Sequence, residues 1–155
     1  MLACEGLSVS YQGRNVFKSV TYSFGSGVYA LRGANGIGKS TLLRLLSGAQ
    51  SPDAGRVWIG GIDLMREPQA AKQLLSYVPD ESPVYPFMTG HELLEFVASV
   101  KRVPINGLVQ ELTVAFGLPP HLQTRFDAMS LGTQKKFLLC AAWIGAPKVL
   151  SLIHI

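Results

Sequence analysis

Charge is scarce in this sequence, cysteine is nearly absent, and no apolar stretch is long. Asp, Glu, Lys and Arg together make up 15% of the 155 residues, while mean hydropathy is +0.25. That composition excludes a disordered chain, which would be poor in apolar residues and rich in charge. Part of the surface is expected to meet a partner rather than water. The longest run of apolar residues and glycine, Phe137 to Ala146, is too short to cross a bilayer. No basic stretch precedes an apolar run at the N-terminus, so no secretory signal is read there. Cys4 and Cys140 lie far apart without metal-ligand spacing, and are expected as reduced, partly buried thiols of a cytosolic protein. Basic residues are scattered and adjoin only at Lys101-Arg102 and Lys135-Lys136, which makes no nucleic-acid stripe. The net charge of +4 is compatible with a polyphosphate, an anionic membrane surface or nucleic acid, and ordinary surface charge is the alternative. Neither an internal repeat nor a low-complexity segment is present, and the length fits one core.

What is present is a succession of short strands and helices. Leu2 to Phe24 is rich in Val, Tyr, Phe, Ser and Thr and is broken at Gln12-Gly13-Arg14-Asn15, which predicts two strands and a turn. Val28 to Arg32 reads as an apolar strand. Ser40 to Ser47 has leucines at helical spacing, with Gly48 placed to end the helix. Ser51 to Gly55 is a turn before a strand at Arg56 to Ile59; Gly60-Gly61 then leads to a helix from Glu67, with Pro68 in its first turn, to Leu75. Leu75 to Val78 reads as a strand stopped by Pro79. From Pro83 to Gln123 no strand pattern occurs. Thr89 with Glu92 three residues later forms a capping box for a helix to Arg102, and a second helix spans Ile105 to Phe116. Ser130 caps a further helix to Ile144, and Lys148 to Ile153 reads as the last strand.

Between the third predicted strand and the first helix stands Gly33-Ala34-Asn35-Gly36-Ile37-Gly38-Lys39-Ser40, which fits G-x-x-x-x-G-K-[ST] at every fixed position. Glycines let the backbone turn and bring its N–H groups onto phosphate oxygens without obstruction. The helix that follows, with Thr41 in its first turn, adds free N–H donors and a positive dipole end. Lys39 supplies a full positive charge to the β- and γ-phosphates, and Ser40 offers a hydroxyl oxygen to Mg²⁺. The expected ligands are ATP and Mg²⁺.

The neighbouring motifs resemble those of the ATP-binding-cassette (ABC) transporter ATPase domain, over about Leu2 to Leu150. Tyr11 stands at the family's aromatic position, where a ring stacks on adenine; a packed strand tyrosine is the alternative. Tyr77-Val78-Pro79-Asp80-Glu81 looks like the family's Q-loop with Asp80 replacing the glutamine. A carboxylate can meet Mg²⁺ but cannot donate as an amide does; the other reading is an exposed turn acid. Met129-Ser130-Leu131-Gly132-Thr133-Gln134-Lys135-Lys136 resembles the L-S-G-G-Q signature, keeping Ser130 and Gly132, with Leu131 for a glycine, Thr133 for the glutamine and Gln134 next. Ser130 and the helix amides after it would form an anion site for the γ-phosphate held by another subunit.

Where the family carries its Walker B Asp-Glu, which hold Mg²⁺ and activate water, this chain has Ile153 and His154. The expectation is a C-terminally truncated domain, hydrolysis-deficient as given, with residues 151–155 open to question as native sequence. His154 makes a poor substitute base, and His91 and His121 read as solvent-facing. The resemblance implies an α/β P-loop NTPase fold with an N-terminal antiparallel β portion and an inserted helical subdomain. Its expected divisions are 1–82 for the β portion and P-loop core, 83–129 for the helical subdomain, and 130–155 for the signature helix and last strand. It further implies a cytoplasmic ATP-binding subunit, peripheral at the membrane through transmembrane permease partners and paired with a second nucleotide-binding domain. Pro83-Val84-Tyr85-Pro86-Phe87 is the candidate partner surface, with a packed loop as the alternative. A soluble ABC-type ATPase on ribosomes or DNA, and a phosphate-loop kinase, are the alternatives.

Overall fold

The computed structural model describes residues 1–80 and 84–153. It divides into two units, Met1–Ser76 with Lys148–Ser151, and Tyr77–Pro147 with the residues from Leu152.

In the first unit β1 (Leu2–Tyr11) and β2 (Arg14–Phe24) form an antiparallel hairpin. Its two-residue turn has positive φ at both Gln12 (50°) and Gly13 (78°), the handedness that matches the twist of the flanking strands. β3 (Ala54–Ile59) pairs antiparallel with the other edge of β1, and β4 (Ile62–Asp63) follows it, giving the order β2-β1-β3-β4. Alternation sets which side chains turn inward: Leu7 and Val9 of β1, and Val57 and Ile59 of β3, are buried. The helix α1 (Lys39–Ser47) buries Leu45 and Leu46, and Gly48 closes it in the left-handed conformation. The short α2 (Pro68–Gln73) has its proline in the first turn, where the missing N–H costs nothing.

β5 (Leu75–Val78) and β6 (Val149–Leu152) make a two-stranded sheet. The Val149 N–H donates to the Leu74 carbonyl and the Ile153 N–H to that of Val78. The pairing advances in one direction along both strands, so they are parallel.

The second unit contains α3 (Gly90–Lys101), α4 (Gly107–Ala115) and α5 (Leu131–Ala142), with 3₁₀ turns at Pro119–His121 and Phe126–Ala128. α5 packs on both α3 and α4. Phe137 is fully buried, its ring tilted against Phe126 at 6.1 Å. The capping box forms: the Glu92 N–H donates to Thr89 Oγ1 at 3.2 Å, and the Thr89 N–H to Glu92 Oε2 at 2.8 Å. The Thr89 backbone and hydroxyl bonds hold the Glu92 carboxyl below its ordinary range. Because the folded pKa is depressed, that stabilisation is full at neutral pH and fades as pH falls through the carboxylate range.

The helices and five of the strands follow the sequence pattern, with α4 starting two residues later than expected, capped by Asn106. The strand expected at Val28 to Arg32 does not form. Those residues lie outside both sheets, with Val28, Tyr29 and Leu31 exposed. A strand needs a ladder partner for its backbone groups, and none of the described residues supplies one. β4 and the two 3₁₀ turns were not legible in the sequence pattern.

Two substitutions test the packing. An added Cβ at Gly90 would clash with the edge of the Phe137 ring at Cζ, Cε1 and Cε2, so Gly90→Ala is expected to cost about 1–3 kcal/mol in urea unfolding, despite alanine's better helix propensity. In β6 the Ser151 hydroxyl is buried with no partner among the described residues, so Ser151→Ala is expected to stabilise by about 1 kcal/mol in the same assay.

Candidate nucleotide site

The loop 33–38 leads into α1 through Gly38, the N-cap, whose φ is 104°. A side chain there would also meet Val16 Cγ1 at 2.6 Å and the Phe17 ring at 3.0 Å, so both the conformation and the space demand glycine. A glycine N-cap offers no side chain to the first helical amides, and no acid stands in the first turn. These donors therefore point outward as a helix N-terminus suited to an anion. Lys39 folds back so that its ammonium donates to the carbonyls of Gly33 (2.8 Å) and Ala34 (2.9 Å). It draws the loop into a ring closed by its own cation. Asn35, Gly36 and Ile37 are exposed around it, while Ser40 and Thr41 are half-buried in the first turn of α1. The Ser40 hydroxyl is the kind of hard oxygen donor that suits Mg²⁺. Among the described residues no cluster of three or more His, Cys, Asp or Glu could itself hold a metal.

Tyr11 ends β1 half-exposed, and its hydroxyl donates to Gln50 Oε1 at 2.7 Å. The residue before it is pinned as well: the Ser10 N–H and hydroxyl both donate to Asp53 Oδ2, at 2.7 and 2.8 Å. Gln50 and Asp53 both belong to the turn that follows α1. The sequence pattern marked that turn through Pro52 and Gly55, but nothing in it singled out Gln50.

In the second unit Ser130 caps α5, accepting from the Thr133 N–H at 3.2 Å, with the two hydroxyls 2.9 Å apart. Leu131 and Gly132 are exposed at the helix start. Gln134 faces the other way. Its amide donates to the Phe126 carbonyl at 2.6 Å and towards that of Met129 at 3.4 Å, holding the 3₁₀ turn before the helix. Asp80 is exposed and pairs with Lys135 of α5 at 3.7 Å. Tyr85 and Phe87 stack at 5.4 Å, both exposed; Pro83 of that candidate surface, Glu81 of the Q-loop-like segment and His154 lie outside the described residues. Ile153 is buried. His91 lies beside Glu95 at 3.2 Å and His121 is exposed. Cys4 and Cys140 are free and buried, and burial pushes both thiols up from their ordinary range. No described helix is long and apolar enough to cross a membrane.

A glycine-rich loop running into a helix, an antiparallel β portion and a helical unit later in the chain define a P-loop NTPase of the ABC type. A family model described as ABC transporter matches residues 17–152, and the chain belongs to that family. It is 29% identical over 154 residues to the linearmycin resistance ATP-binding protein LnrL of Bacillus subtilis (strain 168), covering 97% of this chain and 50% of that one. It is 34% identical over 143 residues to the cytochrome c biogenesis ATP-binding export protein CcmA of Cupriavidus necator, covering 90% and 62% respectively. The chain thus spans about half to three fifths of the length of these relatives. Among solved structures, an ATP-binding subunit of an ABC transporter superposes with a TM-score of 0.82 at 26% identity, over 98% of this chain and 65% of that chain. A dimeric ATP-binding cassette in a post-hydrolysis state with ADP and Pi shares the fold, with a TM-score of 0.82 at 18% identity.

The two bonds of Gln134 make it a structural brace for α5. Gln134→Leu is expected to destabilise the chain by about 1–2 kcal/mol, read by denaturant unfolding, with ATP affinity of the isolated chain unchanged by calorimetry.

Proposed function

We propose that this chain is an ATP-binding component of an ABC transporter, holding Mg-ATP on residues 33–41. The observation that carries the reading is the glycine-capped start of α1, with Lys39 closed over the loop carbonyls. A triphosphate offers Lys39 oxygens of full negative charge in place of those carbonyls, and charge-assisted bonds are the stronger ones. The amides at the start of α1 take the remaining phosphate oxygens. Mg²⁺, when bound, would supply positive charge to the phosphates, and Ser40 is the residue of this loop that would hold it. The Tyr11 ring would stack on the adenine.

The Ser130-capped start of α5 serves a second nucleotide-binding domain in this reading. Its exposed backbone at Leu131 and Gly132 would meet the γ-phosphate on the partner's loop. Transmembrane permease subunits would dock on the helical unit, where the stacked Tyr85 and Phe87 offer an apolar surface, and would hold the chain at the cytoplasmic face of the membrane. ATP hydrolysis belongs to the family's working cycle. In this chain Ile153 and His154 occupy the Asp-Glu positions, so no carboxylate there activates water, and turnover is slow.

Isothermal calorimetry with Mg-ATP tests the reading. The 155-residue chain is expected to bind, Lys39→Ala to lose at least tenfold in affinity, and phosphate release to stay near the uncatalysed background. Equal affinity in Lys39→Ala would remove the loop from the site, and sustained turnover abolished by Lys39→Ala would overturn the hydrolysis-deficient reading.

A further inference from the structure

Two side chains of one short turn hold two consecutive residues at the end of β1. Gln50 accepts the Tyr11 hydroxyl at 2.7 Å, and Asp53 accepts both the N–H and the hydroxyl of Ser10. The Asp53 N–H in turn donates to the Ser8 carbonyl at 2.9 Å. The turn is itself tied to the phosphate-loop helix, because the N–H groups of Ala49 and Gln50 both donate to the Arg44 carbonyl. A continuous chain of bonds therefore runs from the helix that starts at the loop to the ring of Tyr11, all within the first unit.

From this we infer that Gln50 is a positioning residue for nucleobase recognition: it fixes the Tyr11 ring through the hydroxyl and sets where the base of a bound nucleotide lies relative to its phosphates. The inference rests on the stacking role proposed for Tyr11. Tyr11 makes no ring contact with another aromatic side chain among the described residues, and its hydroxyl bond ties down the far end of a substantially exposed side chain. A side chain free to change its χ1 rotamer carries the ring away from the base part of the time, and apparent affinity falls by that fraction. The bond survives either assignment of the Gln50 amide, since the hydroxyl can donate to oxygen or accept from nitrogen.

The test uses the 155-residue chain with two probes: Mg-ATP, and inorganic tripolyphosphate, which has phosphates but no base. Tyr11→Ala is expected to weaken Mg-ATP about five- to a hundredfold, the range of base–aromatic stacking. Tyr11→Phe keeps the ring and loses the hydroxyl, while Gln50→Leu loses the acceptor. Each is expected to weaken Mg-ATP about two- to tenfold, and the double variant Tyr11→Phe with Gln50→Leu no more than either alone, since both remove one bond. Tripolyphosphate affinity is expected to stay constant throughout. If Tyr11→Ala weakens Mg-ATP but Tyr11→Phe and Gln50→Leu do not, the ring stacks without needing Gln50 and the positioning inference is wrong. If Tyr11→Ala leaves Mg-ATP unchanged, the stacking reading itself fails. Parallel losses of tripolyphosphate affinity would assign both residues to the integrity of the loop instead.

Discussion

Gly38 is the constraint on which the rest of the candidate nucleotide site depends. Its φ of 104° turns the loop into the axis of α1, and the space a side chain would need is filled by Val16 and Phe17 of β2. The same position thus directs the helix amides outward and seats the loop against the sheet. Because glycine has no side chain to cap with, the amides stay open to an external anion rather than being satisfied within the chain. Lys39, one residue on, does for the loop carbonyls what a phosphate would compete for.

From that point the first unit is built outward as a connected frame. α1 rises from the loop, Gly48 ends it, and the turn after it reaches back through Gln50 and Asp53 to the end of β1. The β-hairpin does two things with one length of chain. Its β2 strand packs on Gly38 through Val16 and Phe17, and its β1 strand ends in Tyr11. Phosphate loop and aromatic ring are therefore held by opposite strands of one hairpin, whose tight turn fixes their register.

Local, self-contained signals were the legible ones. The capping box of Thr89 and Glu92, the Ser130 cap and the terminating Gly48 each act within one turn of helix, and the structure has all three. Phosphate-loop glycines are legible for the same reason, since the backbone conformation they permit is a property of the residue. What depends on distant partners was not legible. Val28 to Arg32 has strand composition, but composition cannot supply a ladder, and the segment lies outside both sheets. Gln134 stands beside a motif position and reads as part of it, whereas its amide is drawn inward by carbonyls of a 3₁₀ turn that has no sequence pattern of its own. The Tyr11–Gln50 bond joins residues 39 apart, and no periodicity reports it.

The exchange of a glutamine for Asp80 has an electrostatic consequence that an isolated motif reading misses. A carboxylate brings a charge as well as an acceptor, and here the charge is met by Lys135, in the second turn of α5. Both side chains are substantially exposed, so the pair contributes at most about 1 kcal/mol and is screened by salt. Such a pair is too weak to fix the fold. Lys135 also lies five residues past the Ser130 cap, on the helix whose start is the proposed site for a second domain's phosphate. One weak ion pair therefore connects the Q-loop-like segment to the signature-like helix within the second unit.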